Sequence, residues 1–389
     1  MRKRLLSMIT GAALAGMMVT GSVTGVYAAK NDKKEETTTE AETEVESEEE
    51  TEETDEALEE LLARKDELDG KLVYLVSKGF QHQYWQAVYQ GAKEMAEELG
   101  VKMQMEGPAT ESDIADQVQM LNNAVNQKPF AIGLAALDTE ACLEGITQAM
   151  NFNIPIIGFD SGVANAPEGA VYANASTDNY AAGELAAEKS FELIEDKLES
   201  GVKIGVLSQD ATSESIISRG TGFIDKMREL IEENTDLTVS VEGHEKFADE
   251  EKVKDADVII EVAVPAQVQA ELSVVDAQKM LNDDAFICIY GSNQFSGEGL
   301  VNANSNLNKL GEDGVIGVAF DSGTVIKGAV ADGTLAGAVT QDPLNIGRTT
   351  VKLACMAALG MEVEDVDTGC QWYTAENMED EGIAPNLYD

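Results

Sequence analysis

The sequence is poor in the residues that build metal sites. Its 389 residues include only two histidines, His82 and His244, and four cysteines. It contains no CxxC pair and no Cys/His spacing typical of zinc. A histidine-rich metal site is therefore excluded, and we expect neither a metal ion nor a cofactor. Export would permit three disulfide pairings, although Cys288 and Cys355 lie in apolar segments that suit buried thiols.

Positive charge is also scarce. Lysine and arginine together number 27 against 72 aspartates and glutamates, and the formal net charge is −45. Such acidity repels phosphate, so nucleic acid is not an expected partner. Residues 31–60 alone hold 16 acidic residues and two lysines. We predict an acidic low-complexity linker over residues 30–69, in which residues 31–60 are extended by self-repulsion and act either as a tether or as a solubilising tail. A short amphipathic helix is expected at residues 57–68, before the domain.

Beyond its first residues the chain has no apolar run long enough to span a bilayer. The N-terminus begins with three basic residues, continues in a mostly apolar stretch to Val19, and offers small residues at Val26 and Ala28. We predict that residues 1–29 are a secretory signal peptide, with an uncleaved membrane anchor as the alternative. No cysteine lies near the cleavage region, so a lipid-modified N-terminus is not expected.

The motifs of common enzymes are missing as well. The sequence shows no nucleophile elbow with a Ser/His/Asp order and no glycine-rich phosphate loop. We therefore do not expect an enzyme. One pairing keeps an enzymatic alternative open, because Asp160 and Asp321 could be argued as the two carboxylates of a glycosidase.

Residues 71–100 show what the chain does contain. An apolar run of strand length precedes a polar loop, and a helix of apolar period 3.6 follows and ends at Gly100. This is the opening unit of a parallel α/β sheet, and its loop lies where such sheets place their ligands. The loop ends in His82, Gln83, Tyr84 and Trp85, which can donate hydrogen bonds or present a flat apolar face.

Strands and amphipathic helices then alternate along the chain. The strands are continuous apolar runs, which indicates parallel sheets covered on both faces. There are too many strands for one ordinary sheet, and the series restarts near Thr177. We therefore predict an α/β fold with two doubly wound parallel-sheet lobes.

Several predicted strands end in polar residues that could bind a polyhydroxy compound. Each has a plainer interpretation, since an Asp often caps the next helix, an amide often satisfies a turn, and an Arg is usually at the surface. Jointly they combine planar acceptors and donors with the rings of Tyr84 and Trp85, a combination that suits sugars. For Trp85, core packing is a serious alternative. The polar residues are Asp160, Arg219, Asn293, Asp321 and Gln341.

Residues 71–373 resemble the periplasmic substrate-binding proteins of sugar ABC transporters, in the ribose- and galactose-binding class related to the lactose-repressor sugar-sensing domain. The segments that carry this resemblance are SKGFQHQYWQAVYQGAKEMAEELG, IPIIGFDSG, SRGTGF, GSNQFSGEG, VIGVAFDSG and TQDPLNIGRT. Their order and spacing along nearly the whole domain make the match specific.

The resemblance implies a set of ligand-binding residues. In this chain the family pattern falls on His82, Tyr84, Trp85, Asp160, Arg219, Asn293, Asp321 and Gln341. The chain departs from the ribose-type pattern in that His82 replaces an Asn or Asp and Ser161 replaces a second arginine. The region that normally supplies a further aromatic reads PAQVQAE, so Gln267 is expected to take that role, with Gln269 as the alternative. The calcium loop of the galactose type has no clear counterpart.

The resemblance also implies two lobes that close on a ligand about a hinge of three chain crossings. The N-terminal lobe would comprise residues 70–176 and 342–370, and the C-terminal lobe residues 177–341 and 371–389. The expected function is capture of a sugar outside the cytoplasm, at the periplasmic or outer face of the membrane, and delivery to a membrane ABC permease by a monomer. A surface sugar sensor that signals through a membrane partner is the alternative, followed by a secreted glycoside-processing enzyme.

Overall fold

The computed structural model describes residues 56–80, 83–163 and 165–389. These residues belong to one compact unit, which spans Thr54–Asp389. The predicted signal peptide, residues 1–29, and the predicted linker up to residue 55 lie outside the described residues. The last part of the predicted linker is helical: α1 covers the described residues 56–63 and α2 is Lys65–Leu68. Leu61 and Leu68 are fully buried in the first hydrophobic core, so this end of the predicted linker packs on the domain.

The first sheet follows the strand and helix pattern predicted from residues 71–176. Among the described residues its six strands are all parallel to their neighbours. Their bounds are β1 (Leu72–Val76), β2 (Lys102–Glu106), β3 (Ala131–Leu134), β4 (Ile156–Phe159), β5 (Val171–Ser176) and β12 (Val366–Asp367). The accompanying helices are α3 (Gln83–Leu99), α4 (Ile114–Gln127), α5 (Leu143–Asn151) and α11 (Pro343–Ala358).

The second sheet has seven strands in the described part of the chain, and only its last strand is antiparallel to its neighbour. The strands are β6 (Val202–Leu207), β7 (Val239–Gly243), β8 (Val258–Ala263), β9 (Phe286–Gly291), β10 (Ile316–Phe320), β11 (Gly337–Gln341) and β13 (Cys370–Tyr373). The helices are α6 (Asn179–Ile194), α7 (Glu214–Asn234), α8 (Ala270–Asn282), α9 (Gln294–Leu307) and α10 (Thr324–Ala331), with 3₁₀ turns at Glu195–Lys197 and Ala384–Asn386.

The two sheets repeat one strand order. Within the described residues the first sheet is β2-β1-β3-β4-β5-β12, and the second is β7-β8-β6-β9-β10-β11-β13. If β6 corresponds to β1 and β8 to β2, the orders are identical, with β7 as an added edge strand. In both sheets the order reverses beside the first strand, which opens a crevice at the carboxyl ends of the strands. The predicted α/β class with two doubly wound parallel sheets is confirmed.

The chain passes between the sheets at three places. β5 ends at Ser176 before α6, and β11 ends at Gln341 before α11. The third passage is the step from β12 to β13, residues 367–370. Hydrogen bonds tie two passages together: the Thr177 hydroxyl donates to the Gly369 carbonyl at 3.1 Å, and the Thr368 amide donates to the Ser176 carbonyl at 3.0 Å. The lobe boundaries expected from the sequence, at 176/177, 341/342 and 370/371, stay a prediction.

The cores are apolar and contain unpaired thiols. Burial along β3, β4 and β10 is complete, which explains their uninterrupted apolar sequences. All four cysteines are free; Cys142, Cys288 and Cys355 are buried, and Cys370 is half-buried. No helix within the described ranges is both long and apolar enough to cross a membrane.

Helices α3 and α11 pack backbone to backbone on the first sheet. A β-carbon added to Gly91 would lie 1.9 Å from the Leu344 carbonyl oxygen, and one added to Gly347 would lie 2.0 Å from the Val88 carbonyl oxygen. Both distances are impossible for a real side chain, so the reciprocal glycines set the spacing of this helix pair.

The second sheet repeats this device with α6 and α7. A β-carbon at Gly183 would lie 2.3 Å from the Arg219 carbonyl oxygen, and one at Gly222 would lie 2.1 Å from the Tyr180 carbonyl oxygen. Gly222, the second glycine of the SRGTGF segment, therefore serves helix packing, and this packing places Arg219 at a defined depth.

Gly91→Ala should destabilise the protein, because the new methyl group forces α3 away from α11. Overpacking of this kind costs about 1–3 kcal/mol or more of unfolding free energy. Gly328→Ala is the matched control: it lies inside α10 with no atom within 4 Å of the added carbon. There the alanine should stabilise by about 0.5–1 kcal/mol. Denaturant unfolding of both variants measures this difference, and equal effects would refute it.

Candidate ligand-binding site

The candidate site is a cavity between the carboxyl ends of the two sheets. Its free interior is about 40 Å³, more than the roughly 10–15 Å³ that one water molecule needs. A larger ligand enters only if the walls move apart. The lining residues come from both sheets: Lys78, Tyr84, Trp85, Glu111, Asp160, Gln209, Ile216, Arg219, Asn293, Gln294, Phe295, Asp321 and Gln341.

Two aspartates enter the cavity from equivalent positions in the two sheets. Asp160 follows β4 and Asp321 follows β10, and each begins an Asp-Ser-Gly turn. Both have a left-handed backbone, with φ of 59° and 71°, a conformation that Asp tolerates better than most residues. Their amides donate to the next strand, to the Ala175 and Val339 carbonyls. Each sheet therefore aims one buried carboxylate by the same local structure.

A second pair of equivalent turns follows the first strand of each sheet. β1 leads into Ser77 and Lys78, and β6 leads into Ser208 and Gln209. Both serine hydroxyls donate to the carbonyl two residues on, at 2.7 and 3.0 Å. The turns thus share a hydrogen bond, and each directs the next side chain, Lys78 or Gln209, into the cavity.

Asp160 is held by groups of its own side of the cavity. The Tyr84 hydroxyl donates to its Oδ1 at 2.5 Å, and Lys78 Nζ lies 2.7 Å from its Oδ2. Lys78 also donates to the hydroxyls of Ser213 and Ser215, at 3.3 and 3.1 Å. Because those serines lie at the start of α7, the Lys78 ammonium joins the two sides.

Arg219 is oriented on three sides. Its Nε donates to the Asn179 Oδ1 at 2.7 Å, and its guanidinium carbon lies 4.0 Å from the centre of the Phe320 ring. Its Nη1 lies 3.7 Å from Asp321 Oδ2. Asn179 also donates to the Thr177 carbonyl at 2.9 Å, at one of the passages between the sheets. The guanidinium is therefore linked through Asn179 to the passage at Thr177 as well as to the cavity.

The two predicted amides have different environments. Gln341 donates to Asp321 Oδ1 at 2.7 Å, and its own Oε1 is buried and has no partner among the described residues. Asn293 accepts from the Ser296 amide in a capping box at the start of α9, and its Nδ2 donates to Gln209 Oε1 at 2.8 Å. Asn293 therefore caps α9 and also lines the cavity.

Tyr84 and Trp85 form an aromatic wall at the start of α3. Their rings meet edge to face at 4.9 Å, and Trp85 meets the Phe159 ring at 6.3 Å. Trp85 is 1% exposed and belongs to the first core, as its helical period indicated, yet it also lines the cavity. Tyr388 near the C-terminus adds a third ring, 5.9 Å from Tyr84.

Glu111 and Gln209 connect the two sides opposite Lys78. The Trp85 indole Nε1 donates to Glu111 Oε1 at 2.7 Å, and Gln209 Nε2 donates to Glu111 Oε2 at 3.0 Å. The sequence analysis did not select Lys78, Glu111 or Gln209. Lys78 and Gln209 directly follow the first strand of each sheet, and this position beside the reversal of strand order is the signal that could have identified them.

Two predicted residues are not among those that the cavity brings together. His82 lies outside the described residues. Gln267 is exposed, precedes α8, and accepts from Gln269 Nε2 at 2.8 Å, away from the cavity lining. The structure does not support the expected ligand contact of the PAQVQAE segment. On the side of the second sheet, the apolar ring that lines the cavity is Phe295 of α9.

The two aspartates have opposite electrostatic environments. Burial raises the pKa of Asp160, but the charges of Lys78 and Arg219 and the hydrogen bonds from Lys78 and Tyr84 outweigh it and hold the pKa below its usual 3.8. Burial also raises the pKa of Asp321, and there Arg219 and Gln341 offset only part of the effect, so the pKa stays above 3.8. Among the described residues no cluster of His, Cys, Asp and Glu could hold a metal ion.

Asp160→Asn should lower the free energy of unfolding at pH 7 by about 3–5 kcal/mol, because Lys78 stays buried without its charge partner. The folded-state pKa of Asp160 lies below 3.8, so its contribution is present above that pH and is lost as the pH falls through the folded pKa. The difference between variant and wild type should shrink below pH 3.8.

Guanidinium unfolding at a series of pH values measures this difference. Asp284→Asn serves as the control, because the Asp284 side chain is 96% exposed. A difference that is absent at pH 7, or that does not shrink in acid, would contradict the assignment of the ion pair.

The chain is similar to a known protein family and to proteins of solved structure. The family model described as a periplasmic binding protein domain matches residues 73–362. A solved structure from Brachyspira murdochii, described as an ABC transporter, LacI family transcriptional regulator, is 33% identical with a TM-score of 0.70. That alignment covers 82% of this chain and 99% of the other.

Two further proteins carry ligand names. A solute-binding protein of an ABC transporter from Agrobacterium vitis, solved with bound D-fucose, is 27% identical with a TM-score of 0.68, over 82% of this chain and 100% of the other. The D-apiose import binding protein of Actinobacillus succinogenes is 24% identical over 169 residues, 43% of this chain. That match spans about half, 51%, of the length of this relative.

Proposed function

Because this chain belongs to the periplasmic binding protein domain family, whose members are non-enzymatic solute-binding proteins, we propose that it captures a sugar or a related polyol and delivers it to the permease of an ABC transporter. Family membership implies an extracytoplasmic location. The observation that carries the proposal is that each sheet directs a buried aspartate into one cavity, together with a guanidinium and an aromatic wall.

This set of groups matches the chemistry of a polyhydroxy ring. Hydroxyl groups donate to carboxylates and amide oxygens and accept from a guanidinium, and an aromatic ring covers an apolar C–H face. Asp160 and Tyr84 would act from one side, and Arg219 and Asp321 from the other. The buried Oε1 of Gln341 would accept a hydrogen bond from a hydroxyl group of the ligand. Such a bond would remove the desolvation penalty of a buried acceptor without a partner, which is about 1–3 kcal/mol.

The ligand would be trapped by closure of two lobes. We assign residues 70–176 and 342–370 to the N-terminal lobe and residues 177–341 and 371–389 to the C-terminal lobe. The bonds of Lys78 to Ser213 and Ser215, and of Glu111 to Gln209, cross between these lobes. A ligand that adds contacts to both walls would shift the population toward the closed form by its preference for that form.

Closure would also prepare the protein for its partner. The faces of the two lobes become one surface in the closed form, and a membrane permease would recognise that surface when the protein arrives as a monomer. The acidic residues of the predicted linker would keep the domain at a distance from the membrane or cell surface, because their mutual repulsion extends the segment.

Arg219→Ala should weaken ligand binding by roughly 100-fold or more, since each lost hydrogen bond from a charged donor contributes about 1.5–3 kcal/mol. A thermal-shift screen of pentoses, hexoses and polyols, including D-fucose, D-apiose and D-arabinose, identifies the ligand, and calorimetry gives the affinities. Arg348→Ala, an arginine on the outer side of α11 that pairs with Glu94 and Glu98, should bind as wild type does. Equal affinity of both variants would exclude Arg219 from the site.

The double change Ser213→Ala and Ser215→Ala should weaken the same ligand by about tenfold, because the Lys78 ammonium loses two acceptors across the cleft. Small-angle scattering should show a smaller ligand-induced contraction at equal ligand concentration. Ser213 precedes α7 without a side-chain cap bond, so the helix start is preserved. Ser305→Ala, at an exposed position of α9, is the control. Unchanged affinity and contraction would show that Lys78 does not contribute to closure.

A further inference from the structure

The charged groups around the cavity do not cancel. Five charged side chains line it: the cations Lys78 and Arg219, and the carboxylates Asp160, Asp321 and Glu111. Lys78 pairs with Asp160 at 2.7 Å, and Arg219 with Asp321 at 3.7 Å. Once these two pairs are counted, the charge of Glu111 is left over.

Among the contacts of the described residues, the charge of Glu111 has no cation partner. Both oxygens of its carboxylate accept hydrogen bonds, from the Trp85 indole and the Gln209 amide, as an ionised carboxylate does. Both donors are neutral. In the part of the chain that the structure describes, no lysine, arginine or histidine forms an ion pair with Glu111. Asp210, which accepts from the same Gln209 amide at 3.3 Å, adds negative charge nearby.

In net charge, the two cations of the cavity are already matched by carboxylates. The three N–H groups of Lys78 have three oxygen acceptors within 3.3 Å, from Asp160, Ser213 and Ser215. Arg219 can still donate hydrogen bonds to hydroxyl groups, but its positive charge is matched by Asp321 at 3.7 Å. A carboxylate or phosphate on the ligand would therefore meet a like charge in a water-poor space, where repulsion is much stronger than in solution.

We infer that Glu111 determines the charge class of the ligand: the site takes uncharged or amine-bearing polyols and rejects sugar acids and sugar phosphates. This inference depends on the proposed function and narrows it. A hydroxyl or ammonium group of the ligand can donate to the remaining lone pairs of the Glu111 carboxylate. Because its two present donors come from opposite sides of the cleft, the selection operates in the closed form.

The test compares ligands that share one ring and differ in charge. The probes are D-galactose, D-galactosamine and D-galacturonate, the corresponding glucose series, D-ribose with D-ribose 5-phosphate, and D-arabinose with D-arabinose 5-phosphate. D-Galacturonate also serves as the charged counterpart of D-fucose. Thermal shift and calorimetry on the wild-type protein should show that the tightest ligand is uncharged or amine-bearing. Its acidic or phosphorylated counterpart should bind at least tenfold more weakly.

The variants assign the effect to one residue. Glu111→Gln should lower, at least tenfold, the ratio of the affinity for the neutral ligand to the affinity for its anionic counterpart. In Glu111→Gln the new amide N–H groups could meet the N–H donors of Trp85 and Gln209 and impair folding. Glu111→Ala avoids this contact and tests the same ratio. Glu144→Gln removes the same charge at an exposed position of α5 and should leave the ratio unchanged.

Two outcomes would overturn the inference and leave the proposed function standing: an anionic sugar as the tightest ligand, or an unchanged ratio in both Glu111 variants. If no member of any charge class binds the wild-type protein, the proposed function fails, and the inference fails with it. A narrowed ratio in the Glu111 variants together with an unchanged ratio in Glu144→Gln supports the inference.

Discussion

Charged side chains leave water only at a large cost, and in this fold four of them are almost completely buried around one cavity. Lys78, Asp160, Arg219 and Asp321 are each at most 6% exposed. Such groups are tolerated when they are paired and hydrogen-bonded. The arrangement of the rest of the site follows from this requirement, because the tyrosine, serine and amide side chains around the four charges supply the remaining hydrogen bonds.

The pairing is distributed over both sheets, and this links electrostatics to movement. Lys78 has one partner on its own side and two across the cleft, whereas Arg219 is attached to the hinge region through Asn179. Opening the cleft would expose these groups to water, which can solvate them. In the proposed closure, open and closed forms can therefore be close in free energy, and a ligand that completes the contacts of the closed form would need only a modest preference for it to shift the balance.

The sequence predicts much of this structure because the informative patterns are local. A continuous apolar run such as that of β4 or β10 marks a buried parallel strand, and the Asp-Ser-Gly after it marks the edge where ligands bind. The contacts of Glu111 are not local: its partner Gln209 is 98 residues away, and no periodicity encodes that approach. Lys78 has no local signal, because a single polar residue after a strand looks like part of an ordinary turn. Its role becomes visible only in the folded chain, where Ser213 and Ser215 accept its hydrogen bonds from the other side of the cavity.

Other differences have similar causes. Strand β13 is short and pairs antiparallel with β11. It therefore lacks the continuous apolar run from which the parallel strands are predicted. The prediction for Gln267 depends on the family resemblance, in which the matching segment supplies an aromatic residue to the ligand. In this chain α8 begins only at Ala270, and Gln267 lies exposed before it. For Asn293 the sequence offered a local role in a turn beside a role in the site; in the structure it caps α9 and also lines the cavity.

The repeated framework of the two sheets has a consequence for how a ligand is oriented. Strand order, the Asp-Ser-Gly turns and the serine turns after β1 and β6 recur in both halves, so the cavity is close to a pseudo-twofold environment. A sugar has no such symmetry and could be held in either of two directions by the repeated parts alone. The direction must be decided where the copies diverge: at Lys78 and Gln209, at Glu111, and at the partners of the two aspartates, which are Tyr84 and Lys78 for Asp160 and Arg219 and Gln341 for Asp321. A ligand is therefore oriented by what surrounds each repeated part and not by the repeat itself.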